Sequence, residues 1–323
     1  MTSIGTDNKR GLPQLSVASA ITIFVLVVSA VAFGLQIARI MANRANVLAS
    51  GRTDTSNLAM SLTQHANLAL GAPAAMLTDI VERLGTTEHQ SESGLAQLHR
   101  LLREEVAELP QVLSFLISDR DGQVLVSSRQ IRPGIGLDDQ PFFQRHNQGN
   151  AGELSIGAPI FWKPISRWVI PISRDYRSNG EFGGVAAALF DLDFFQKFYE
   201  QFDIGQSGAI LLMSTGNNRL LVRRPFLEKN IGRDMSGSNI AKALQTAPVG
   251  NIEIESSTDG GLRLNSYRRS EQYPVVIAVA RSIDDILAPW KRQTIHELLE
   301  TSALLIIIAA AEKRKPDCVS RSP

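Results

Sequence analysis

Four polar residues stand at the edges of an apolar stretch that runs from residue 154 to 195: Trp168, Ser173, Arg174 and Asp191. An arginine side chain offers a planar fork that binds a carboxylate through two hydrogen bonds, and an aspartate accepts hydrogen bonds from an ammonium group. A tryptophan ring adds a stacking or cation–π wall. Arg174, Asp191 and Trp168 are therefore candidates to bind an amino acid or a small carboxylate, with Ser173 beside them.

These residues also have purely structural interpretations, which the sequence leaves open. Arg174 and Asp191 would pair with each other, or Asp191 would cap a helix that begins near Phe194. Trp168 would simply belong to the core.

Arg145 and His146 lie on a short helix that is predicted to begin after Asp138 and to cover the pocket. The alternative for both is a solvated helix face. No second histidine or acidic cluster stands at ligand spacing from His146, so neither a metal nor a cofactor is predicted. No nucleophile stands beside a base and no carboxylates are paired as in a catalytic cleft, so the chain is not predicted to be an enzyme.

The elements that position these residues follow from the apolar pattern. Three apolar runs between residues 154 and 191 read as an antiparallel meander, because Ser178-Asn179-Gly180 is a strong reversal signal between the second and third. A strand hairpin turning at 119–122 and the Arg145 helix come before the meander. The order of strand hairpin, helix and three-strand meander then occurs again after residue 208. We expect an α+β fold with two antiparallel-sheet modules, at 110–202 and 203–282.

Helices are predicted on both sides of the modules. Residues 15–38 carry no charge and, at about 24 residues, are long enough to cross a hydrocarbon core of about 30 Å; the rival is a cleaved signal peptide. Residues 39–109 form stalk helices that Gly71-Ala-Pro73 should kink or interrupt. Residues 283–311 form a helix that runs into a second apolar stretch. This stretch either lies in the membrane interface or is a truncated transmembrane helix. A basic tail follows at 312–323.

Composition narrows the function classes further. The formal net charge of +1 gives no indication of nucleic acid binding. Cys318 is the single cysteine, so neither a disulfide framework nor a Cys/His zinc site is possible within the chain.

The motifs resemble those of the double Cache (PAS-like) extracytoplasmic sensor domain of bacterial chemoreceptors, histidine kinases and diguanylate cyclases. The Tyr-Phe-x-x-His segment of that family reads Phe142-Phe-Gln-Arg145-His146 here, and its Trp-x-x-x-x-Ser-Arg strand reads Trp168 to Arg174. Its Gly-x-x-x-x-x-Leu-Asp-Leu-Asp-x-Phe junction reads Gly184 to Phe195. The chain departs from the family at Phe142, which lacks the tyrosine hydroxyl.

The resemblance implies a periplasmic sensor that is anchored in the bacterial inner membrane by N- and C-terminal transmembrane helices, the second short or truncated. Residues 1–14 would be cytoplasmic, 15–38 transmembrane, 110–202 the membrane-distal Cache module and 203–282 the membrane-proximal one. Such a receptor binds a small molecule, an amino acid or organic anion, and acts as a homodimer. Arg174, Asp191, Trp168, Arg145, His146 and Ser173 are the expected ligand-binding residues.

The output domain of the family has no counterpart in the sequence. There is no Gly-Gly-Asp/Glu-Glu-Phe cyclase signature, no Glu-Ala-Leu phosphodiesterase signature, no phosphoacceptor-histidine helix and no Gly-rich ATP lid. The alternatives are therefore a sensor fragment of a cyclase or kinase whose catalytic domain is lost or encoded downstream, and a non-signalling periplasmic binding or docking protein. The reading frame beyond codon 311 distinguishes them.

Overall fold

A computed structural model describes residues 17–85, 91–129, 135–149, 153–255 and 260–313. The predicted cytoplasmic segment 1–14, Cys318 and most of the basic tail lie outside the described residues. The chain divides into two compact units, residues 50–286 and residues 1–49 with 287–323.

The first helix, α1, is a single helix of 68 residues, Val17–Leu84. Within the described part of the chain, only this helix is long and apolar enough to cross a membrane, by length and composition. A kink or an interruption was expected at Gly71-Ala-Pro73. The helix continues through Pro73, so it is not interrupted there. A second helix, α2 (Glu92–Glu108), begins at Ser91, whose Oγ atom accepts a hydrogen bond from the Gly94 N–H.

Within the described residues, the first sheet has six strands, and its predicted meander is confirmed. The elements are β1 (Val112–Ser118), β2 (Val124–Ser127), α3 (Pro141–Asn147), β3 (Ser155–Ile156), β4 (Ile160–Trp162), β5 (Arg167–Ser178) and β6 (Glu181–Asp191). β1 and β2 form a hairpin, β5 and β6 form a long antiparallel hairpin, and the short strands β3 and β4 both pair with β5. The order is β2-β1-β6-β5-β3, and helix α3 precedes β3 in the chain.

The second sheet repeats this topology with five strands in the order β8-β7-β11-β10-β9, which confirms the predicted internal repeat. Helix α4 (Leu192–Glu200) links the two sheets and helix α6 (Ile283–Lys313) follows the second. The remaining elements are β7 (Ala209–Ser214), β8 (Leu220–Arg224), α5 (Asn239–Leu244), β9 (Val249–Glu255), β10 (Leu262–Arg269) and β11 (Val275–Ser282).

Each sheet buries both faces. One face of each packs in a common core with α1, α2 and α4, which contains Leu62, Leu77, Phe190 and Ile277. The opposite face of the first sheet packs under α3 around Phe142, Phe143 and Trp162, and that of the second sheet packs under α5 around Ile240 and Tyr267. Because side chains alternate along a strand, the two faces carry different residues and different chemistry. On the α3 side of β5, the side chains of Ser173 and Asp175 therefore share one parity.

Candidate functional site

His146 and Ser173 meet beneath helix α3. The His146 Nε2 atom lies 3.0 Å from the Ser173 Oγ atom, and its Nδ1 atom lies 3.4 Å from the Asp175 Oδ1 atom. The side chains of His146 and Asp175 are only 1% and 2% exposed. Ser173 and Asp175 are two residues apart on β5 and share a face, and α3 sets His146 on them. The cluster is thus a buried polar tie between helix and sheet.

Arg174 lies on the other face of β5. It follows Ile170 and Ile172 in the alternation, and both of these pack in the core with the helices. The Arg174 Nε atom is buried, and among the atoms that the structure describes it has no hydrogen-bond partner. The structure therefore brings His146 and Ser173 together and sets Arg174 apart from them. A ligand role for Arg174 stays a prediction.

Asp191 ends β6 and is the N-cap of helix α4, accepting a hydrogen bond from the Asp193 N–H at 3.2 Å. Its Oδ2 atom also lies 2.7 Å from the Arg167 Nη2 atom, and the same nitrogen donates to Asp193 at 3.0 Å. The carboxylate thus has the capping position that sequence reasoning held as the alternative. The other structural alternative, an ion pair between Asp191 and Arg174, does not form, and Asp191 pairs with Arg167 instead.

A groove of about 700 Å³ lies along the edge of the first sheet beside α3. Helix α3 contributes Gln144 and Arg145, and its C-cap residue Gln148 also lines the groove. Trp168 forms part of the wall and also packs against the common core. The exposed ring of Phe161 meets Trp168 edge to face at a centroid distance of 5.6 Å, which orients the indole. Two of the predicted site residues, Arg145 and Trp168, therefore line the same groove.

The second sheet completes the groove through Asn217, which the sequence places in a turn at 216–218, and Arg219, which the sequence places at the start of the following strand. The side-chain amide of Asn217 donates to the Ile156 carbonyl at 3.4 Å, and its Oδ1 atom accepts from the Arg219 N–H at 3.1 Å. Arg219 Nη1 in turn donates to the Gly232 carbonyl at 3.3 Å. Asn217 and Arg219 thus stand opposite α3, on a segment of the chain that is far from it in sequence.

The electrostatics of the groove favour an anion. Arg145 and Arg219 are both half-buried, and the described lining residues include no Asp or Glu. Outside the lining, the exposed carboxylate of Asp234 interacts electrostatically with Arg219. The pKa of Asp234 is lowered first by hydrogen bonds from Ser236 and to a smaller degree by Arg219. Among the described residues, no group of three or more His, Cys, Asp or Glu is arranged to hold a metal ion.

Within the first sheet, the approach of β6 to β1 is tightly constrained near Gly184. This glycine has φ +146°, and a Cβ atom there would lie 2.0 Å from the Ser118 carbonyl oxygen. The Tyr176 hydroxyl donates to the same oxygen at 3.0 Å, and burial is the main cause that raises the pKa of Tyr176 to about 12. The glycine of the strand-to-helix motif is therefore required by close packing on β1.

Comparisons with known proteins fit this architecture. The sequence profile of a family described as the histidine kinase sensor domain, dCache_1_like, matches residues 192–280. The crystal structure of the extracellular domain of rpHK1S-Z16, a protein assigned as a histidine kinase, is 33% identical with a TM-score of 0.66, covering 75% of this chain and 99% of that one. The chain belongs to the double Cache sensor-domain family.

More distant Cache domains share the fold. The ligand-binding domain of the Campylobacter jejuni chemoreceptor Tlp3, solved with L-norvaline, is 13% identical with a TM-score of 0.54 and covers 75% of this chain and 94% of that one. The ligand-binding domain of Mlp24, solved with asparagine, is 12% identical with a TM-score of 0.55 and covers 77% and 98%. No curated protein matches the chain. Cache domains of this family are sensors rather than enzymes.

Proposed function

We propose that this Cache chain is the ligand-sensing region of a bacterial transmembrane receptor, and that it binds a small carboxylate, of the amino acid or organic acid class, in the groove beside α3. The observation that carries the proposal is the pair of half-buried guanidinium groups, Arg145 and Arg219, in a groove whose described lining contains no acidic residue. Two such groups leave a positive site, and a carboxylate offsets part of its charge.

The binding energy would come mainly from charge-assisted hydrogen bonds, each worth about 1.5–3 kcal/mol. Trp168 supplies an apolar wall for a side chain. The amide oxygens of Gln144 and Gln148 in the lining can accept hydrogen bonds from an ammonium group. Amino acid complexes of Tlp3 and Mlp24 support the same ligand class.

The buried His146 cluster has a separate task in this proposal. It holds α3 on β5, and α3 carries Arg145 one residue away from His146. Because adjacent helical residues point about 100° apart, one neighbour contacts the sheet while the other lines the groove. A ligand that binds Arg145 therefore contacts a helix that His146 already holds against the sheet.

Signal transmission would run through the second sheet to helix α6. The Ser207 N–H donates to the Asp285 Oδ2 atom at 3.2 Å, at the start of α6. A Cβ atom at Gly51 would lie 2.8 Å from the Ile286 side chain, so α1 and α6 approach closely there. A ligand that binds one arrangement of the sheets more tightly than another would shift the equilibrium towards that arrangement, and with it the position of α6 relative to α1. Two chains side by side would convert this shift into a changed helix spacing.

The proposal places residues 15–38 across the bacterial inner membrane and about 39–298 in the periplasm. Extracellular relatives and the apolar first helix support this topology. Alkaline phosphatase fused after residue 200 is expected to be active. An inactive phosphatase fusion, together with an active cytoplasmic reporter fused at the same point, would show that this region lies in the cytoplasm.

The ligand class is tested on the full chain in lipid nanodiscs by the shift in melting temperature with L-norvaline, L-isoleucine and L-asparagine. Each compound is compared with its analogue that lacks the carboxylate and its analogue that lacks the amino group; for norvaline these are butylamine and pentanoate. We expect stabilisation by at least one amino acid or its carboxylic acid analogue and none by the amine. Equal stabilisation by the amine would show that the carboxylate is not recognised.

A further inference from the structure

Helix α1 has a single proline along its 68 residues, Pro73. A proline has no N–H group, so the Ala69 carbonyl, four residues earlier, loses the partner that the regular helical pattern would supply. Pro73 and Ala69 are both buried, so water has little access to replace that partner. A buried carbonyl is costly when it is left unpaired, and α1 is therefore weakened at this turn unless another group donates to Ala69.

The side chain of Gln111 supplies that donor. Its Nε2 atom lies 3.4 Å from the Ala69 carbonyl oxygen, in a buried contact between residues that are 42 positions apart in the chain. Gln111 is 8% exposed and immediately precedes β1. The distance exceeds the usual value of about 2.9–3.0 Å for an N–H···O hydrogen bond. The contact is therefore weak, and a small movement of β1 relative to α1 would break it.

Gln111 also connects α1 to the junction between β6 and α4. Its backbone carbonyl accepts a hydrogen bond from the Asp191 N–H at 2.8 Å, and Asp191 is the N-cap of α4. Helix α4 in turn links the two sheets. A movement of this junction therefore reaches the Ala69 carbonyl through one residue, at the turn of α1 where the proline permits bending.

Two further contacts hold α1 just before the proline. The His65 ring stacks on Phe198 of α4 with centroids 3.5 Å apart, and Ser270, which follows β10, donates from its Oγ atom to the Asn67 Oδ1 atom at 2.7 Å. At about 100° per residue, His65 and Asn67 point about 200° apart, so the helix is held from opposite sides. Beyond the proline, α1 is held by side chains that are fully buried in the common core: Leu77, Ile80 and Leu84.

We propose that Pro73 is a hinge in α1 and that Gln111 is its latch. With the Gln111 amide on the Ala69 carbonyl, the arm of α1 before the proline is fixed to the first sheet. Without this bond, the helix bends more freely at the proline, and the arm, which continues without interruption to Val17, changes direction. The use of this hinge in signalling rests on the proposed sensor function, whereas the tests below need no ligand, so their failure would leave that function standing.

The first test is a double-mutant cycle in melting temperature, measured on the full chain in lipid nanodiscs. Gln111→Met keeps the length of the side chain and removes its donor, and we expect a fall of about 2–4 °C. Pro73→Ala restores an N–H group that can donate to Ala69, so Gln111→Met in the Pro73→Ala background should cause a fall of less than about 1 °C. Gln64→Met, the same change at an exposed position of α1, is the matched control and should change the melting temperature by less than about 1 °C.

The second test measures distances between nitroxide labels by double electron–electron resonance. Cys318→Ser removes the single native cysteine, and labelled chains are diluted with unlabelled ones so that only distances within one chain contribute. One pair of labels is attached through Asn57→Cys, at an exposed position of α1 before the proline, and Glu181→Cys on β6. The control pair replaces the first of these with Glu82→Cys, at an exposed position of α1 after the proline.

We expect Gln111→Met to shift or broaden the distances of the first pair and to leave those of the control pair unchanged. Adding Pro73→Ala should return the first pair to a narrow distribution, because the helix no longer needs the latch. The proposal is overturned if Gln111→Met lowers the melting temperature equally in both backgrounds, or prevents folding in both, since Gln111 would then act by packing alone. It is also overturned if the distances of the first pair are the same in Gln111→Met and the parent.

Discussion

The Nε2 atom of His146 lies 3.0 Å from the Oγ atom of Ser173, and this buried contact joins helix α3 to strand β5. Asp175 adds a carboxylate oxygen 3.4 Å from the other ring nitrogen. Buried polar groups are costly when they lose their partners, so the cluster stabilises the covering position of α3 only as long as it is complete.

Replacing His146 with Ala should lower the free energy of unfolding by about 1–3 kcal/mol, because Ser173 and Asp175 would lose a buried partner. Chemical denaturation monitored by circular dichroism measures the loss. His99→Ala on α2 is the control, since His99 is only half-buried, and should change stability by less than about 0.5 kcal/mol. Equal stability of the parent and His146→Ala would show that the contacts of His146 with Ser173 and Asp175 do not stabilise the fold.

Gly184→Ala should destabilise the protein more than Gly180→Ala. Both glycines have positive φ, +146° and +85°, but a Cβ atom at Gly184 would strike the Ser118 carbonyl, whereas nothing lies within 4 Å of one at Gly180. We expect Gly180→Ala to lower the free energy of unfolding by about 1 kcal/mol from backbone strain alone. Gly184→Ala should lower it by more than about 3 kcal/mol. Thermal denaturation of the two variants side by side tests this order.

Asp191→Ala should cost about 1–2 kcal/mol in stability through the loss of the α4 cap and of the ion pair with Arg167. Asp191→Asn keeps a capping side chain and should recover most of this loss. Asp193→Ala is the control, because its side chain is 46% exposed and its bond to Arg167 is a surface contact. If Asp191→Asn instead abolished ligand binding at full stability, the residue would have the ligand role that the sequence suggested.

His65 should make stability fall as the pH is lowered below about 6.5. Its ring stacks on Phe198 at a centroid distance of 3.5 Å, and burial lowers the pKa of the imidazole. Between the lowered pKa and the ordinary value, the unfolded chain binds more protons than the folded one, so protonation favours unfolding.

The measurement for His65 is the fall in melting temperature from pH 7.5 to pH 5.5. His65→Gln should show a smaller fall than the parent, because it lacks the buried imidazole. An identical pH dependence in His65→Gln and the parent would rule out this contribution.

The strands and turns were predictable because they depend on local patterns. The two faces of β5 follow from the alternation of Trp168, Ile170 and Ile172 with Val169 and Pro171. The turn between β5 and β6 follows from Asn179-Gly180. Asp119 acts as the predicted turn residue, since its Oδ1 atom accepts from the N–H groups of Asp121 and Gln123 at 3.0 and 2.8 Å.

The alternative pairing of Arg174 with Asp191 fails because the two residues lie far apart along the hairpin. Arg174 pairs with Ala186, whereas Asp191 pairs with Val169. They are therefore about 17 Å apart at about 3.4 Å per residue, which is beyond the reach of an arginine side chain. A β-bulge after Tyr176 also moves the register by one residue, which exchanges the faces, and no local pattern announces the bulge.

The groove residues of the second sheet were missed because their contacts are distant in sequence. Asn217 and Ile156 are 61 positions apart, and Asn217 read only as a turn residue. Arg219 read as the start of a strand. Their position depends on how the two sheets pack, which residue types alone do not specify.

The central claim, that the groove beside α3 binds a carboxylate through Arg145 and Arg219, is tested most directly by calorimetry. The full chain in nanodiscs is titrated with the amino acid or carboxylate that raises its melting temperature most, alongside Arg145→Gln, Arg219→Gln and the exposed control Arg120→Gln. We predict a loss of affinity of about tenfold or more in each groove variant, since each removes a charge-assisted hydrogen bond, and no change in the control. Unchanged affinity in both groove variants, with loss in Arg174→Ala, would contradict the account.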